Sequence, residues 1–176
     1  MLEFRRMSSY GVVLGLLLAD IAAASPPPAG SAGAFAPMTF LIGTWSCSGV
    51  FPASGRTIAS TISFASDLDG AAIVKHHDDV APGPYRAVET WVYNPANRQY
   101  AAAIADNFGG VREFDSRGWN GDVLVWSSAA GVKPDQEFAY TKISDDRFKL
   151  DWRVSRDGTA YAVGDTLTCA RAKPSA

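Results

Sequence analysis

Apolar and polar residues alternate along this chain over short runs, and turn-forming residues separate the runs. Alternation is clearest where Phe148, Leu150, Trp152 and Val154 interleave with Lys149, Asp151, Arg153 and Ser155. Successive side chains of a strand point to opposite faces, so this period of two predicts a strand with one apolar and one solvated face. Ile58, Ile62, Phe64 and Leu68, set against Ala59, Thr61, Ser63 and Asp67, predict another. The same reading predicts strands over Thr44–Phe51, Thr57–Leu68, Ala71–His77, Arg86–Tyr93 and Tyr100–Asp106. It continues with Val111–Ser116, Asp122–Ser128, Gln136–Ile143, Phe148–Ser155 and Ala160–Arg171, about ten strands in all. No stretch has the spacing of an ordinary amphipathic helix; a short helical turn is expected over Pro37–Leu41.

The punctuation agrees with sequential hairpins. Asp69-Gly70 and Asn120-Gly121 are dipeptides that tolerate positive φ in tight turns. Asn94-Pro95-Ala96-Asn97, Gly109-Gly110, Ser144-Asp145-Asp146 and Arg156-Asp157-Gly158 are turn clusters of the same kind. Many short strands with such spacing predict an all-β sandwich or barrel.

The amino-terminal segment follows a different rule. Arg5 and Arg6 precede a short apolar run, Val12 to Ala19, and Ala22-Ala23-Ala24 offers a cleavage site before Ser25. That is the pattern of a signal peptide over residues 1–24, so the protein is expected to be periplasmic or secreted. The run is far shorter than the ~20 residues of a membrane span, and no cysteine stands at the cleavage site to carry lipid. No membrane anchor is expected; the export route, general or twin-arginine, is left open. Residues 25–37 (SPPPAGSAGAFAP) read as a flexible linker, leaving residues 38–176 as one barrel domain.

Export changes the meaning of the two cysteines. Cys47 lies in the first predicted strand and Cys169 in the last, and an oxidising compartment makes a bridge their expected state. A bridge holds Cα atoms within roughly 4.4–6.8 Å, which brings first strand to last. This favours a closed antiparallel up-and-down β-barrel, an architecture with no unpaired edge strands. The net charge of -2 gives no basic face for nucleic acid or for an anionic membrane surface.

The run Phe40-Leu41-Ile42-Gly43-Thr44-Trp45 at the start of the first strand resembles the opening motif of the lipocalins and the wider calycin superfamily. More closely, the chain looks like a bacterial exported family of unknown function built around F-x-x-G-x-W. Trp91-Val92-Tyr93, Asn94-Pro95, Gly121 to Trp126 and Cys169-Ala170-Arg171 are its further landmarks. The resemblance implies a calycin-like barrel without an agreed activity. It also implies structural roles for Gly43 and Trp45, with Arg171 as the basic residue that covers the tryptophan at the closed end. The nitrobindin group shares the Gly-x-Trp opening and binds haem through a histidine near its carboxyl terminus. No histidine follows His77 here, so no haem or other cofactor is expected.

Reactive chemistry is sparse. In His76-His77-Asp78-Asp79, alternation gives two ligands per face where a metal wants three or four, and Ala81-Pro82-Gly83-Pro84 follows at once. The cluster reads as a solvated strand end, with no metal. There is no Gly-x-Ser-x-Gly elbow, and Glu89, Asp106, Glu113 and Asp115 define no pair, so neither catalytic residues nor an enzyme are expected. The small residues of Tyr100 to Ala105 suit either an interior cavity or a thin, tightly packed sandwich, and Tyr93, Trp126 and Trp152 are the candidate ligand-lining aromatics. A small apolar or amphipathic ligand inside the barrel is the leading expectation. The alternatives are a filled barrel serving as an interaction module of the cell envelope, or an enzyme at the barrel mouth using His76 or His77. The oligomeric state is left open.

Overall fold

In the computed structural model, which describes residues 33–81, 83 and 85–173, the alternating segments become antiparallel strands joined by short turns. The expected signal peptide, and residues 25–32 of the expected linker, lie outside the described residues. The strands are β1 (Gly43–Phe51), β2 (Arg56–Asp67), β3 (Ala72–Ala81), β4 (Arg86–Asn94), β5 (Gln99–Asp106) and β6 (Val111–Ser116). Then come β7 (Trp119–Asn120), β8 (Val123–Ser128), β9 (Asp135–Ser144), β10 (Arg147–Ser155) and β11 (Ala162–Arg171). Each pairs with its neighbour in sequence except β6 with β7; β1 pairs with β11, and β6 pairs with β8. The two-residue β7 hangs beside β8, so ten strands form the closed up-and-down barrel. Sequence patterning missed β7 because two residues show no period; the Asn120-Gly121 turn is its hairpin onto β8.

Cys47 and Cys169 are direct partners in the β1–β11 register and are disulfide-bonded, with Cα atoms 4.0 Å apart. Both are buried in the interior. The bridge spans a sequence separation of 122; constraining so long a loop in the unfolded chain stabilises by about 5 kcal/mol at most.

One end of the barrel is shut. A 3-10 helix over Ala36–Leu41 lies across it and buries Met38 and Leu41 completely, and the Trp45 indole donates to Leu41 O at 2.7 Å. Phe35 packs edge-on to Tyr100 at 5.5 Å, and the Tyr100 hydroxyl donates to Ala34 O at 2.6 Å. Residues 34–37 therefore belong to the folded domain rather than to a linker. Burying an aromatic ring such as Phe35 stabilises by about 1.5–3 kcal/mol, which holds this segment in place.

Above this plug the lower half is filled with rings. Trp45 meets Phe148 at 4.8 Å, Trp91 meets Trp126 at 4.8 Å, and Phe64 meets Trp91 at 5.4 Å. The odd-numbered turns of the meander, after β1, β3 and β5, gather at the opposite end, where the filling stops. Among the described residues no helix is long and apolar enough to cross a membrane.

Candidate functional site: a cavity at the open end

A cavity of about 230 Å³ lies inside the open end. Its apolar wall is Phe51, Ile58, Phe138, Leu150, Trp152 and Leu167, supplied by β1, β2, β9, β10 and β11. Its polar wall is His77 and Asp79 on β3, Tyr85 before β4, Glu89 on β4, Arg112 on β6 and Asp165 on β11. Period-two alternation aims all the strand residues inward, and the charges among them resist the dry packing that fills the lower half.

The boundary between the two halves is an ion pair. Lys75, 1 % exposed, places Nζ 2.5 Å from Glu89 Oε1, while Glu89 Oε2 accepts from the Trp91 indole at 3.1 Å. The ammonium also lies 5.7 Å from the Tyr140 ring centre. Each charge is thus paired, as a buried charge must be.

Higher up, β3 runs four residues beyond its expected end at His77, because Asp79 pairs with Ser60 and Asp78 with Arg86. His77 and Asp79 are consequently part of the barrel wall and face the cavity, where a solvated strand end was expected. His77 Nε2 lies 3.3 Å from Asp79 Oδ1 but off the line of a hydrogen bond, and that nitrogen is buried without a hydrogen-bond partner. Ser60 Oγ donates to Asp79 Oδ1 at 2.7 Å. Burial, reinforced by the charge of Asp79, lifts the carboxyl of Asp165 to a pKa of about 6.

Across the barrel, Arg112 organises a second polar group. Its guanidinium donates to Tyr85 Oη at 3.0 Å, Asp106 Oδ2 at 3.1 Å and Gln136 Oε1 at 3.1 Å. Burial pushes the Tyr85 hydroxyl up to about 12, so it stays protonated. Gln136 Oε1 also accepts from the Trp152 indole at 3.2 Å, which fixes that ring on the cavity wall. At the rim, Val80, Phe108 and Val111 are exposed.

Of the three aromatics expected to line a ligand site, only Trp152 is at the cavity. Trp126 is buried between Trp91 and Tyr100, and Tyr93 is half-buried against Tyr100 at 4.9 Å, both in the filled half. At the closed end Arg171 lies 4.4 Å from the Trp45 ring centre and donates to Ile42 O, Phe40 O and Asp145 O and to the Asp146 carboxylate. Gly43 beside them has φ 124°, and a Cβ there would sit 3.0 Å from Arg171 Nη1, so a side chain is disfavoured on both counts. Sequence reading places Asp79 on a solvated strand end and passes over Tyr85, Arg112 and Asp165; the shared parity of Lys75, His77 and Asp79 is the one signal available. Among the described residues no three His, Cys, Asp or Glu side chains converge as a metal site.

No family model matches the chain, and no curated protein matches it. The likeness to a family opening on F-x-x-G-x-W therefore rests on the residues themselves. Among solved structures, Rv2717c from M. tuberculosis is similar with a TM-score of 0.57 and 16% sequence identity, over 80% of this chain and 98% of that one. The likeness is one of fold. A redesigned beta barrel aligns at a TM-score of 0.36 and 16% identity over 77% of this chain and 94% of its own, too weakly to bear on this protein.

Proposed function

We propose that this barrel binds a small amphipathic molecule through its open end, and that it does so by binding rather than catalysis. The observation that carries the reading is the division of the interior. Large aromatic rings fill one half, whereas the other holds an open cavity with six apolar side chains facing a limited set of polar groups. Cavities of this make-up are the usual form of small-molecule sites. An engineered cavity of about 150 Å³ holds benzene, so 230 Å³ suits a ligand of roughly ten non-hydrogen atoms.

The periplasm or the extracellular space is the proposed compartment. The signal-peptide pattern of residues 1–24 and the Cys47–Cys169 bridge both support it. Native mass spectrometry of protein exported to a bacterial periplasm tests both parts together. Loss of residues 1–24, with added mass that leaves on denaturation, is the expected result. An intact amino terminus rejects the export reading. A bare protein that also fails to bind small aromatic probes in titration rejects the ligand reading.

A further inference from the structure

We propose that the ligand class is cationic: a small organic amine whose ammonium lies between Asp79 and Asp165 while its apolar part rests against Trp152 and Phe51. This rests on the reading that the cavity binds a small molecule at all. Most of the buried and half-buried carboxylates are paired with a cation. Glu89 is matched by Lys75, and Asp106 by Arg112. Asp151 is matched by Lys149 and Arg153 and accepts from Thr166. Asp79 and Asp165 differ: among the described residues no lysine or arginine forms an ion pair with either. Asp79 has the Ser60 hydroxyl and the neighbouring imidazole of His77, which is a cation only when protonated.

Their placement makes this a site rather than a scatter of acids. Asp79 on β3 and Asp165 on β11 flank β2 and β1, so both carboxylates belong to one arc of the wall. Arg112, on β6 at the far side of the ring, is already engaged by Asp106, Tyr85 and Gln136. Between the acids lie Phe51 and Ile58, and Trp152 adjoins on β10. Aromatic faces attract cations, and a cation placed here relieves the repulsion between two half-desolvated carboxylates. His77 lines the same space, and its buried Nε2 has no hydrogen-bond partner.

Binding should also depend on pH. Asp165 feels Asp79, Asp151 and Lys75, and His77, Tyr85, Glu89 and Arg112 share the cavity. As pH rises through the range where Asp165 ionises, the site gains negative charge. Amine affinity should therefore rise with it.

The test is titration calorimetry with three probes of similar shape: phenethylamine, phenethyl alcohol and phenylacetate. The wild-type protein should bind the amine about tenfold or more tightly than the alcohol, the advantage of a charge-assisted contact. That advantage should vanish in Asp165→Asn and shrink on going from about pH 7.5 to about pH 5. The comparison of amine with alcohol needs no variant, so it stands even if Asp165→Asn does not fold. Equal affinities, or tightest binding of phenylacetate, overturn the cationic assignment and leave the binding reading in place. If none of the three binds, the binding reading itself falls, and this proposal with it.

Discussion

Trp152 lies against the backbone of Gly164, so closely that a Cβ built on the glycine would fall 2.4 Å from Cε3 of the indole. Gly164 is the extra residue of a bulge: Trp152 pairs with Asp165 and Arg153 with Val163. The glycine lets the ring lie on the cavity wall with its N–H on Gln136. Gly164→Ala should force the indole off that position, at a cost of about 1–3 kcal/mol. Urea denaturation reads the loss of stability, and titration with an aromatic probe should register weakened binding.

Lys75 and Glu89 are both buried, so removing one leaves the other charge without compensation. Lys75→Met should destabilise the fold by about 3–5 kcal/mol. The double variant Lys75→Met with Glu89→Leu should recover most of that loss, since an apolar pair of similar volume can replace a buried ion pair. Chemical denaturation of the wild type and the two variants checks both expectations.

Asp165 makes a contribution to stability that depends on pH. Its folded pKa of about 6 lies above its unfolded value, so the folded state holds the proton more tightly. The contribution is fully present below about pH 4 and is lost as pH rises through about 6, at most about 3 kcal/mol in all. Asp151 works the other way: despite the cost of its burial, bonds from Thr166, Lys149 and Arg153 lower its pKa, so its contribution fades in acid. Comparing wild type with Asp165→Asn isolates the first effect. The variant should gain stability relative to wild type between about pH 4 and about pH 7.

Arg171 uses a planar fork of donors at the closed end, reaching carbonyls on both Ile42 and Phe40 while covering Trp45. Lysine keeps the charge but cannot reproduce the fork. Arg171→Lys should cost about 1–3 kcal/mol in thermal or chemical denaturation. Because this end is remote from the cavity, probe affinity should stay unchanged, which separates the role of Arg171 from that of Trp152.

The strands and turns were legible in the sequence because their signals are local: side-chain parity and turn residues lie within a few positions of one another. Closure was legible through Cys47 and Cys169, which join the chain's first and last strands. The cavity was less so. Parity says that Trp126 and Trp152 point inward, but not at what height along the barrel axis each one lies. That height follows from the stagger between strands, which separates Trp126 in the filled half from Trp152 at the cavity. A charged residue facing inward has the same local pattern as one on a wet outer face until both neighbouring strands are known, and so alternation alone makes His77 and Asp79 a solvated strand end. Phe35 was lost in a Pro/Ala/Gly context that usually marks a linker, although its ring is part of the plug.

The central claim is that a small amphipathic molecule enters the open half of the barrel and leaves the closed half undisturbed. Nuclear magnetic resonance of the indole N–H groups tests this most directly, since the chain has 5 tryptophans distributed along the barrel axis. With phenethylamine as titrant, the Trp152 signal should shift progressively and saturate, while those of Trp45 and Trp119 at the closed end stay fixed. An unmoved Trp152 signal, or equal shifts at Trp45 and Trp119, would contradict the account.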